Sequence, residues 1–179
     1  KRIRVVAGGT AASKTFSIVM WLVDQAQSRP NKLISIVSET LPHLKRGAMR
    51  DFLNIMENHG YFKDSAWNKS DFTYTFDSGS KIEFFSADQP AKVRGPRRDI
   101  LFINEANNVP YETFVQLEIR TREVIWIDYN PVAEFWYYTE VAPNLEHDFL
   151  TLTYKDNEAL EPAVVKSIEA RQYDKGWWR

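Results

Sequence analysis

Val5-Val6-Ala7-Gly8-Gly9-Thr10-Ala11-Ala12-Ser13-Lys14-Thr15 stands near the head of the chain and decides how the remainder is read. Ile3 to Ala7 is a short apolar run with β-branched residues, stopped by Gly8-Gly9, and predicts a buried strand. Lys14 to Gln27 predicts a helix. Its apolar residues Phe16, Ile18, Val19, Met20, Trp21, Leu22 and Val23 lie on all sides, which predicts a central, buried helix. The connection consists of Gly8, Gly9, Thr10, Ala11, Ala12, Ser13, Lys14 and Thr15. It follows the phosphate-loop pattern of Gly, four residues, then Gly-Lys-Ser/Thr, except that Ser13 takes the place of the second Gly. Small residues let backbone N–H groups approach phosphate oxygens, and a helix N-terminus adds partial positive charge. Lys14 would then reach the outer phosphates of a nucleotide such as ATP, and the Thr15 hydroxyl would ligate Mg²⁺. A Ser held at positive φ would be strained by about 1 kcal/mol. An ordinary strand–turn–helix corner is the plainer alternative.

Downstream the pattern alternates. Leu33 to Val37 predicts a second buried strand. Leu41 to Asn58 predicts one amphipathic helix, with Leu41, Leu44, Ala48, Met49, Phe52, Leu53 and Met56 on its apolar face. Thr40 is its N-cap and Gly60 its stop. Asp71–Phe76 and Lys81–Phe85 predict a β-hairpin around Asp77-Ser78-Gly79-Ser80. Strands follow at Ile100–Ile103, Val124–Ile127 and Phe149–Thr153, and helices at Tyr111–Ile119 and Pro162–Tyr173. Apolar strands alternating with helices predict an α/β fold with a mainly parallel sheet, whose ligands bind beyond the carboxyl ends of the strands.

Composition narrows the function classes. At 179 residues the chain holds one domain, and 44% hydrophobic with 14% aromatic residues excludes a disordered tail. No apolar run approaches the length of a membrane-spanning helix. With no Cys, disulfides, thiolate metal sites and Cys nucleophiles are excluded, and His43, His59 and His147 have no ligand spacing. No Gly-x-Ser-x-Gly elbow is present. The net charge of −1 leaves polyanion binding to local patches, His43/Lys45/Arg46/Arg50 and Lys92/Arg94/Arg97/Arg98. Either patch is equally readable as a solvated surface.

Ile100-Leu101-Phe102-Ile103-Asn104-Glu105 has the form of a strand that delivers an acid to Mg²⁺ and then a Glu to the attacking water. Asn104 replaces the expected Asp. Its carbonyl oxygen would accept from a metal-bound water, which makes Thr15 and Asn104 the metal-side candidates and Glu105 the candidate general base. A capping Asn-Glu pair is the plainer reading.

Together these stretches resemble the ATPase domain of tailed-phage terminase large subunits. Ala7–Thr15 is similar to that family's phosphate loop, and Lys92–Gly95 followed by Asp99–Ala106 to its Arg-Gly segment and acidic strand. Ile127–Pro131 is similar to its coupling motif, and Thr153–Asn157 to the run toward its nuclease domain. The resemblance implies a RecA-like core of the additional-strand, catalytic-glutamate class, with residues 1–179 as a single ATPase domain. The family's adenine-binding segment and RNase H-like nuclease would lie outside it. By resemblance Glu105 is the catalytic glutamate, Arg94 the trans-acting arginine finger with Arg97 and Arg98 in reserve, and Asn130 the coupling residue near the γ-phosphate. An arginine finger is worth about 10³–10⁵ in rate, so an isolated monomer would hydrolyse ATP weakly.

The implied setting is a homo-oligomeric ring at the procapsid portal in the host cytoplasm, moving double-stranded DNA. Its partners would be the portal and the terminase small subunit, with no membrane. Arg46 and Arg50 are the candidates for touching the DNA backbone. A nucleotide-binding module with weakened hydrolysis, and a helicase or recombination ATPase of the same fold, are the alternatives.

Overall fold

The computed structural model describes residues 1–9 and 13–171. Thr10, Ala11 and Ala12 of the predicted phosphate loop, and the end of the last predicted helix at Tyr173, lie outside the described residues.

Among the described residues, eight strands form one sheet: β1 (Ile3–Gly8), β2 (Leu33–Ser38), β3 (Trp67–Asn68), β4 (Thr73–Thr75), β5 (Lys81–Ser86), β6 (Arg98–Ile103), β7 (Thr121–Tyr129) and β8 (His147–Leu152). Their spatial order is β3-β4-β5-β2-β6-β7-β1-β8. From β5 to β8 every pairing is parallel, and only β3–β4 and β4–β5 are antiparallel. The predicted hairpin is therefore an antiparallel extension at one edge, and β3 is a strand that the sequence pattern did not indicate. The helices are α1 (Lys14–Ser28), α2 (Leu41–Arg46), α3 (Ala48–Asn58), α4 (Pro90–Val93), α5 (Tyr111–Glu118) and α6 (Pro162–Glu169).

Alternation along each strand divides the apolar residues between two cores, one on each face of the sheet. Val6, Ile34, Ile36, Phe84, Ile100 and Phe102 pack with α1, α2 and α3. Ile3, Val5, Val37, Leu101, Ile103, Ile125 and Ile127 pack with Phe114 and Leu117 of α5 and with Trp136 and Tyr137. A sheet covered on both faces explains why its central strands read as continuous apolar runs.

Two helix expectations need correction. α1 is not buried all round: Ile18, Val19, Leu22, Val23 and Ala26 are in the core, whereas Phe16 and Met20 are 39% and 41% exposed. A helix lying on one face of a sheet buries one stripe, and here the apolar count exceeded that stripe. The predicted helix at Leu41–Asn58 is two helices that break at Gly47 (φ −111°, ψ −105°). A Cβ at Gly47 would lie 3.2 Å from the His43 carbonyl oxygen and 3.6 Å from Asn104 Oδ1, so the break seats this corner tightly over the end of β6. The predicted cap holds, with Thr40 Oγ1 accepting from the His43 N–H.

Candidate functional site

The sheet order makes β2, β6, β7 and β1 consecutive neighbours, all parallel. Their carboxyl ends therefore form one row, bringing together Ser38, Asn104-Glu105, Asp128 to Asn130, and the start of α1 after Gly8-Gly9. These residues are far apart in sequence. Open α/β sheets place their ligands beyond this end of the strands.

Ser13 precedes α1 in the left-handed region (φ 55°, ψ 22°), and its carbonyl accepts the first helical bond from the Ser17 N–H at 3.0 Å. No side chain caps this helix N-terminus among the described residues. Lys14 is 6% exposed. Its ammonium donates to Asn130 Oδ1 at 2.6 Å and to the Gly9 carbonyl at 3.5 Å. Burial pulls the Lys14 pKa below its ordinary value, opposed by the negative charges of Asp128 and Glu105.

Asp128 is the hub of the site and is fully buried. Its Oδ2 accepts the Thr15 hydroxyl at 2.7 Å, and its Oδ1 accepts the backbone N–H of Glu105 at 2.6 Å. The Asn104 amide donates to both carboxylate oxygens, at 3.2 and 3.3 Å, and to Thr15 Oγ1 at 3.1 Å. Burial raises the Asp128 pKa, and Lys14 and these donors oppose that rise. The register explains the contact. Ile103 pairs with Ile127, so Asn104 and Asp128 are adjacent across the next rung of the ladder. Both follow isoleucines of the α5-side core and so face the side that carries α1.

Asn104 is oriented differently from the expectation. Its carbonyl oxygen accepts from Ser38 Oγ at 3.1 Å, and its NH₂ group is the part that faces Thr15 and Asp128. The opposite rotation would press a carbonyl oxygen against a carboxylate. Glu105 adopts a left-handed backbone conformation (φ 51°, ψ 56°), a strained state that recurs at functional sites. Its carboxylate meets the imidazole Nε2 of His43 on α2.

The arginines separate by location. Arg94 caps α4 and is exposed, as is Arg97. Arg98 is buried at the first residue of β6, the end of that strand away from Glu105. Its guanidinium donates to Ser35 Oγ at 2.9 Å and to the Leu117 carbonyl at 3.3 Å. Arg98 is thus engaged inside the fold, whereas Arg94 and Arg97 lie at the surface. Arg46 and Arg50 are exposed, on α2 and α3.

The sequence reading passed over Asp128 as a site residue, although it opens the Asp128–Pro131 strand end. It also passed over Ser38, and His43 as a partner of Glu105. Strand adjacency is the signal that would have found the first, because position 128 becomes informative once β7 lies between β1 and β6. Two surface hollows, of about 350 and 470 Å³, lie elsewhere, around Tyr61 and Asp77 and around Tyr111 and Phe135.

A family model described as "Phage terminase large subunit" matches residues 1–179. The large terminase of a thermophilic bacteriophage superposes with TM-score 0.77 at 19% identity, covering 99% of this chain and 47% of that one. The same terminase in complex with ATP-γ-S gives TM-score 0.71 at 18% identity, over 93% of this chain and 43% of that one. The Thermus phage P74-26 large terminase ATPase domain gives 0.66 at 16% identity, over 97% of this chain and 83% of that one. At these identities the likeness shows the fold, which is RecA-like. The chain spans about half the length of the first of these terminases. No curated protein sequence matches it.

Proposed function

Since the chain belongs to the phage terminase large subunit family, we propose that it hydrolyses Mg-ATP and that this hydrolysis drives double-stranded DNA into a procapsid. The observation carrying the reading is the convergence of Lys14, Thr15, Glu105, Asp128 and Asn130 at adjacent strand ends. Relatives of this fold have been solved with ADP and with ATP-γ-S, which supports a nucleotide as the ligand.

The chemistry follows from the residues. The uncapped N-terminus of α1 presents N–H groups to phosphate, and Lys14 adds a buried cation that binding would draw from Asn130 to the outer phosphates. Asn130 would report that exchange, which suits a coupling role. The oxygens of Thr15 and Asp128 are hard donors of the kind magnesium prefers, so the residues present fit that ion. Magnesium, when bound, would neutralise charge on the phosphates. Glu105 would accept the proton of the attacking water once its carboxylate leaves His43. Arg94, exposed and followed by Gly95 as in the family's Arg-Gly segment, is the arginine offered to a neighbouring subunit, with the equally exposed Arg97 in reserve.

In this reading the partners are double-stranded DNA, the portal, the terminase small subunit and further copies of the chain in a ring at the procapsid portal. Arg46 and Arg50 would meet DNA phosphates without regard to sequence. No helix among the described residues is long and apolar enough to cross a membrane.

The deciding experiment is phosphate release from Mg-ATP at increasing protein concentration, with Glu105→Gln as the blank. Specific activity that climbs with concentration supports subunits completing each other's sites. Activity at the level of the blank at all concentrations, alone or with portal and DNA, would leave only a nucleotide-binding module.

A further inference from the structure

The structure assigns the metal-side carboxylate of this site to Asp128 on β7, in place of the neutral Asn104 on β6. The assignment rests on the nucleotide reading above and deepens it, because it gives Asp128 the place that the sequence pattern reserves for residue 104 and removes Asn104 from the metal side.

Three observations support it. First, parallel pairing of Ile103 with Ile127 makes positions 104 and 128 neighbours on one rung, and the side chains of both reach the Thr15 hydroxyl, so an acid on either strand could serve it. Second, Asn104 is unsuited to the task as it stands. Its oxygen is taken by Ser38, and only its NH₂ group, which repels cations, faces Thr15. Third, Asp128 is organised for it. Oδ2 lies 2.7 Å from the Thr15 hydroxyl, and Oδ1 is fixed by the Glu105 N–H and the Asn104 amide. A fully buried carboxylate held by N–H donors, with Oδ2 also accepting the hydroxyl after the phosphate-loop lysine, is pre-positioned. The competing account is that Asp128 merely balances the charge of Lys14.

The test measures Mn²⁺ binding to the complex of the whole chain with ATP-γ-S by electron paramagnetic resonance, and separately nucleotide binding in EDTA. Asp128→Asn is expected to weaken Mn²⁺ binding by about 10–100-fold in a variant whose circular dichroism matches that of the wild type. The exchange pair Asn104→Asp with Asp128→Asn is expected to restore Mn²⁺ affinity. Wild-type affinity in Asp128→Asn, or no restoration in a folded exchange pair, overturns the assignment. A readout independent of variant folding is the wild-type Mn²⁺ complex with aspartate labelled by ¹³C at the carboxyl carbon. A ¹³C hyperfine coupling is expected, and its absence overturns the assignment even if both variants fail to fold. Wild-type protein that binds no nucleotide in either condition instead removes the nucleotide reading, and the assignment with it.

Discussion

The imidazole of His43 and the carboxylate of Glu105 meet across the gap between α2 and the end of β6, so the candidate general base is held by a side chain from another element. Water and His43 compete for the same carboxylate. A hydrogen bond of about 1 kcal/mol net corresponds to roughly a fivefold change in rate. His43→Ala is expected to raise basal phosphate release by about that factor and leave nucleotide affinity unchanged. A fall in turnover would show that His43 orients Glu105 for catalysis.

Lys14 and Asp128 are both buried, and each offsets the charge of the other. Lys14→Ala is expected to abolish ATP-γ-S binding and to lower stability, because it removes the cation whose charge opposes the burial of Asp128. Adding Asp128→Asn should recover most of the stability and none of the binding. Calorimetry on the single and double variants measures both quantities.

Ser13 occupies the second glycine position of the loop at φ 55°. Ser13→Gly removes the Cβ clash of that conformation and is expected to raise stability by about 1 kcal/mol or less, after the entropy cost of the added glycine. Urea denaturation with an unchanged m-value is the measurement.

Arg29 and Lys32 both bind Glu123, joining the end of α1 and the start of β2 to β7. The bond from Arg29, followed by that from Lys32, holds the Glu123 carboxyl below its ordinary value. A carboxyl whose folded value is depressed contributes stability above its unfolded value of about 4.3 and loses it as the pH falls through the folded value. Glu123→Gln should therefore cost about 1 kcal/mol or less at pH 7, because the group is partly exposed. Thermal melts should show the difference shrinking below pH about 4.

Reversing Arg46 and Arg50 to Glu should weaken binding to any double-stranded DNA alike and flatten its salt dependence. Fluorescence anisotropy at several salt concentrations, on two unrelated sequences, measures this. Unchanged binding would make both arginines solvated surface.

Much of the architecture could be read from local pattern, because a strand buried on both faces is an apolar run and a phosphate-loop corner is a run of small residues. What local pattern could not supply was the order of the strands. Asp128 gains its meaning only from lying one rung from Asn104, a relation set by pairing across 24 residues of chain. The break at Gly47 was hidden for a related reason: the apolar spacing continues through it, and only the approach of Asn104 shows why two helices are needed. The burial of Arg98 depended on Ser35 and Leu117, neither near it in sequence.

The rung shared by Asn104 and Asp128 also bears on ancestry. Codons for asparagine and aspartate differ by one base, so an acid can pass between the two strands in two point substitutions. The intermediate carries either two carboxylates or none, and selection would act on that brief imbalance of charge. The pair of positions, and not residue 104 alone, is therefore the unit on which the charge of this corner is set.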